Sequence, residues 1–162
     1  MITQQTSTTV NPPQVHNPWR YWLVGAPLAL LALLANPNGP LGGFWAPSMV
    51  MQPSLLQLPF LIGLKVAEAV SFGFGIGFLL FGYQTVKNLK GDAPVSPVLL
   101  RAVHLSIAWL LFNWWPHDSL HIHIGDHSLA ALIVVEYGFH VTLMIAGGIL
   151  AYFFSKVLRA QG

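Results

Sequence analysis

Four long apolar runs, separated by short polar breaks, set the pattern of this chain. A hydrocarbon layer about 30 Å thick takes roughly 20 residues of helix. The runs predict transmembrane helices over about residues 19–35, 55–83, 98–115 and 128–154. The first is entered through Pro18-Trp19-Arg20-Tyr21-Trp22, an aromatic and basic set suited to the membrane interface. The stretch 36–54 is rich in Pro and Gly yet apolar, with Phe44, Trp45, Met49 and Met51, and reads as an interfacial loop. Residues 1–18 read as a flexible polar tail ahead of one membrane domain, 19–162. The expected fold is therefore all-α, an integral membrane bundle of four transmembrane helices.

Composition agrees. Hydrophobic residues make up 54% of the 162 and charged ones only 7%, against about 25% charged in an ordinary soluble domain. No fold of this length hides so much apolar surface from water. The net charge of +2 and the scattered bases exclude a nucleic-acid-binding patch. There is no cysteine, which excludes disulfides, thiolate metal sites and Cys nucleophiles.

Charge placement gives an orientation. Lys87, Lys90 and Arg101 flank the break between runs two and three, and Lys156 and Arg159 follow run four. The positive-inside rule puts these, and both the N- and C-termini, on the cytoplasmic side. The first loop and the His-rich third loop then face outward. The expected location is a bacterial inner (cytoplasmic) membrane or an equivalent energy-transducing membrane. Ala69, Gly73 and Gly77, with Gly75 and Gly82 nearby, form a small-residue ridge that lets helices approach closely, and Gly147, Gly148 and Ala151 offer a second.

Ionisable groups inside apolar runs are costly and therefore informative. Lys65 and Glu68 stand i,i+3, and Glu136 and His140 stand i,i+4, so each pair shares a helix face. At 1.5 Å per residue, Glu68 and His140 fall roughly 18 to 20 Å below the outer ends of their runs. With His104 in run three, the five residues Lys65, Glu68, His104, Glu136 and His140 are candidates for one buried polar network. A structural reading makes that network a device that fixes helix register. A functional one makes it a metal site, a proton relay or, through His104 and His140 as axial ligands, a heme or chlorophyll site.

The break between runs three and four, residues 117–127, is dense in imidazole and carboxylate: His117, Asp118, His121, His123, Asp126 and His127. With Glu136 and His140 these are the candidate metal ligands. The donor set suits Cu or Zn. His121 and His123 alternate, so in an extended strand they would point the same way. A structural or interfacial role for these histidines, or pH sensing, is the competing reading.

The chain has no GxSxG, no phosphate-binding glycine loop followed by Lys-Ser/Thr and no HExxH. Without a catalytic signature it reads as a non-enzyme. Three functions fit: an accessory subunit of a larger electron-transfer or photosynthetic membrane complex, a metal- or heme-binding membrane protein, and a small transporter or proton channel. The implied partners are the lipid bilayer and other membrane subunits or further copies of the chain.

Overall fold

The computed structural model describes residues 19–45, 52–125 and 128–162. The expected N-terminal tail, Met49, Met51, Asp126 and His127 lie outside the described residues. Among the described residues the chain is all-helical: α1 (Trp19–Leu34), a short 3-10 turn (Gly42–Trp45), α2 (Leu58–Phe81), α3 (Tyr83–Leu89), α4 (Pro97–Phe112), α5 (Trp114–Ile124) and α6 (Leu129–Gln161).

Local chemistry explains the boundaries. Ser96 caps α4 by accepting the Leu99 N–H at 3.2 Å, and Pro97 takes the first position, where no N–H is needed. Ser128 caps α6 in the same way, accepting the Ala131 N–H at 3.3 Å. Gly91 and Gly125 carry φ of 52° and 51°, a backbone that disfavours side chains, and they end α3 and α5 respectively.

Two expectations are corrected. Run two does not continue unbroken to Tyr83, because Gly82 separates α2 from α3. Residues 117–124 are not a loop. After Phe112 the chain bends by 47° and continues as α5 through His117, His121 and His123. Pro116 sits in the first turn of α5, where its missing N–H costs no helical hydrogen bond. As a helix, α5 brings His117 and His121 onto one face and sends His123 to another.

The long helices pack in chain order: α1 on α2, α2 on α4, α4 on α6. Each pair is antiparallel. Tyr21 of α1 meets Phe81 and Thr85 at the far end of α2 and in α3. Trp109, late in α4, meets Phe139 and Thr142, early in α6. α1 and α6 share no substantial contact, so the arrangement is an open row with α5 laid against α2 and α6.

Glycine sets the closest approaches. A Cβ on Gly73 would stand 2.1 Å from the Gly25 carbonyl oxygen of α1, and one on Gly75 would stand 2.7 Å from Phe112 N of α4. Neighbouring backbones replace side chains there.

α2 and α6 are long and apolar enough to cross a membrane, and α4 with α5 makes a third such span if the bent pair is one. At 16 residues α1 is an apolar helix of about 24 Å, short of a full hydrocarbon layer. α6 turns few residues inward (Val135, Ala146, Phe153, Val157) and exposes Ile133, Val134, Met144, Ile145 and Tyr152. A helix apolar all round with so little burial is stable in lipid and not in water.

Candidate metal centre

The five residues expected to form one network occupy three places. His104 is buried in the core, with its ring against Phe78 and Tyr83. Its Nε2–H donates to the Phe78 carbonyl at 3.0 Å. A carbonyl only accepts, so that nitrogen carries the proton and is committed. Tying α4 to α2 in this way is a packing role.

Lys65 and Glu68 form the second place. The Lys65 ammonium donates to Glu68 at 3.2 Å and also to Asp118 of α5. Asp118, expected among the metal ligands, therefore pairs with α2. Trp115 adds to this junction by donating its indole N–H to the Ala32 carbonyl at 2.8 Å. Together they hold α5 against α1 and α2.

The third place lies on the side of α5 turned toward α6. His117 and His121 are one turn apart there, and Glu136 and His140 are one turn apart on α6. The four meet across the gap. His121 Nε2 is 3.0 Å from His117 Nε2 and 2.9 Å from Glu136 Oε1. His140 Nδ1 holds the other carboxylate oxygen of Glu136 at 2.6 Å. The ligand atoms of His117, His121 and Glu136 all lie within 4.8 Å of one another. Phe139 closes the inner side, 4.8 Å from the His117 ring and stacked on Trp109 at 5.6 Å. His123 is not part of it and bonds to the Trp45 carbonyl instead.

Hydrogen bonding alone satisfies this junction poorly. His121 Nε2 faces two acceptors, an imidazole nitrogen and a carboxylate oxygen, and carries at most one proton. If that proton sits on His117 instead, the His121 lone pair points at a carboxylate. A divalent cation removes the conflict, because all three atoms then donate lone pairs to one centre. Zinc bonds to N and O of about 2.0–2.2 Å place tetrahedral ligand atoms about 3.3 Å apart. The two edges at His121, 2.9 and 3.0 Å, fall a few tenths of an ångström short, and the His117–Glu136 edge lies within 4.8 Å, so side-chain rotations complete the set. Two imidazoles and a carboxylate without thiolate suit Zn(II), and Cu(II) and Fe(II) take the same donor set.

Depth along the helices is shallower than the apolar runs imply. Lys65 and Glu136 each lie seven residues past the first residue of their helix, Leu58 and Leu129, or about 10 Å along the axis, with Glu68 and His140 about 15 and 16 Å along. The difference is three residues on α2, which starts at Leu58 rather than residue 55, and one on α6, which starts at Leu129 rather than residue 128. The informative spacing is that of His117 with His121: two ligands at i,i+4 imply a helix face, whereas the alternation of His121 with His123 imitates a strand.

Compared with protein-family models, with curated proteins and with solved structures, the chain matches none.

Proposed function

We propose that this is an integral membrane protein with four spans that binds one divalent transition metal ion, zinc by its ligand chemistry, between α5 and α6. The observation that carries the reading is the convergence of His117, His121 and Glu136 from two helices. Six of the seven Lys and Arg residues (Arg20, Lys87, Lys90, Arg101, Lys156 and Arg159) belong to the end of the row formed by the start of α1, the α2–α4 connection and the end of α6. That end faces the cytoplasm by the positive-inside rule, which leaves the metal centre at the outer boundary. Counting about 20 residues back from Phe154 sets the hydrocarbon edge near Val135, beside Glu136, and Trp114 and Trp115 suit the same interfacial level. A charged site there is reached from water without crossing the bilayer.

The test is equilibrium dialysis of tag-free protein in mild detergent against zinc, read by elemental analysis. About one zinc per chain is expected, falling to background in His117→Ala and Glu136→Ala. Zinc at background in the unaltered protein, or unchanged in both variants, would sink the proposal.

A second reading, an accessory subunit of a larger membrane complex, is favoured by one feature. At Gly138, Gly147 and Gly148 of α6, nothing lies within 4 Å of the point where a Cβ would stand, which leaves room for a close neighbouring helix. Co-migration with other subunits after mild extraction would support it, and a lone monomer in native lipid would count against it. Heme or chlorophyll is less well supported at His104, which is buried in the core with its Nε2 on the Phe78 carbonyl.

A further inference from the structure

We infer that the α5–α6 metal centre keeps one coordination position for an exogenous oxygen- or nitrogen-donor ligand, water or a small anion, and that His140 is the residue that keeps it free. This rests on the metal reading above and specifies what kind of site it is.

The Glu136 carboxylate decides how many donors the chain supplies. It turns Oε1 toward His121, while Oε2 is held at 2.6 Å by His140 Nδ1. A carboxylate held in this way offers a metal one oxygen and not two. Three protein donors result: His117 Nε2, His121 Nε2 and Glu136 Oε1. Zinc takes four, and three protein ligands plus one solvent position is the arrangement of reactive rather than purely structural sites. A histidine bonded to a ligating carboxylate fixes the orientation and basicity of that ligand without touching the ion.

His140 is a nearby side chain whose chemistry would allow it to take the fourth position itself, its ring centroid being 5.1 Å from that of His117. Its bond to Glu136 draws it away from the point where the other three converge.

Access points the same way. On the inner side Phe139 and Trp109 form an aromatic wall against His117. On the outer side the His140 and Glu136 side chains are 54% and 37% exposed. The free position therefore lies on the side that the rest of the chain leaves uncovered, where a small ligand enters without displacing protein. His140 is a positioning residue here, and its exposure means that replacing it leaves the core intact.

Cobalt(II) in place of zinc makes the coordination visible, with sodium azide as the probe ligand. The full-length, tag-free chain in detergent is loaded with cobalt and titrated with azide. The visible cobalt bands are expected to shift saturably with one azide per cobalt. His140→Ala should still bind cobalt, with affinity weakened about tenfold, and should respond to azide more weakly, because Glu136 is then free to give the metal its second oxygen; an azide response as strong as in the unaltered chain would overturn the role of His140. Cobalt bands that ignore azide, and that change shape in His140→Ala, would show His140 as the fourth ligand and overturn this inference while leaving the metal site standing. No cobalt binding at all would overturn the metal site and this inference with it.

Discussion

Replacing Lys65 with methionine should loosen α5 from the rest of the row, and the size of the effect follows from what Lys65 touches. Its ammonium is the shared partner of Glu68 on its own helix and Asp118 on α5, with side-chain exposures of 8% and 29% for the two carboxylates. Removing one partner of a buried ion pair costs about 3–5 kcal/mol. Asp118 is partly solvated and Glu68 can take up a proton, which lowers the expectation to about 2–3 kcal/mol for Lys65→Met. Asp118→Asn leaves Lys65 its bond to Glu68 and should cost about 1–2 kcal/mol. The decisive quantity is the coupling. If Lys65 holds α5 through Asp118, the double variant should lose about 1–2 kcal/mol less than the two single losses added, well outside the roughly 0.3–0.5 kcal/mol scatter of independent sites. Reversible unfolding in mixed micelles, followed by circular dichroism, measures all four corners. Additivity within about 0.5 kcal/mol would refute the claim that this ion pair carries the α2–α5 junction.

The same structure sets three further outcomes. Gly73→Ala places a methyl against the Gly25 backbone of α1 and should cost about 1–3 kcal/mol in the same unfolding assay; Gly147→Ala, with open space around it, should be neutral or stabilising by up to about 1 kcal/mol. His104→Ala should destabilise by about 2–4 kcal/mol, through a lost hydrogen bond and a cavity, with zinc content unchanged, since His104 lies outside the α5–α6 centre. Zinc content should fall as pH is lowered from about 7.5 to about 5, because protons compete with the metal for imidazole nitrogens; flat occupancy across that range in dialysis would argue against imidazole ligation.

Much of the framework is legible in the sequence because hydrocarbon demands long apolar stretches. α1, α2, α4 and α6 lie where the apolar runs fall, and Ser96-Pro97 and Ser128 mark helix starts by capping chemistry that needs no tertiary context. The glycine ridge of α2 is readable as a packing device, although spacing alone does not show that Gly73 faces α1 while Gly75 faces α4. α5 is not legible. Its residues are polar enough for a loop, and Pro116 and Gly125 look like loop punctuation, yet a proline in a first turn and a glycine just past a last turn also delimit a helix. Reading the histidines at a period of two instead of 3.6 groups His123 with His117 and His121, from which the helix separates it. The single five-residue network fails for a different reason. Residue spacing determines which side chains share a face of one helix, whereas the angle between helices decides which faces meet. The 47° bend after Phe112 is what turns Asp118 to Lys65 and the two histidines to Glu136.

X-ray absorption at the zinc edge of the loaded, tag-free chain bears most directly on the metal centre. A first shell of nitrogen and oxygen at about 2.0–2.1 Å is expected, with the outer-shell scattering of two imidazoles, dropping to one in His121→Ala. A spectrum with no imidazole scattering, or with a two-imidazole pattern unchanged in His121→Ala, would contradict it.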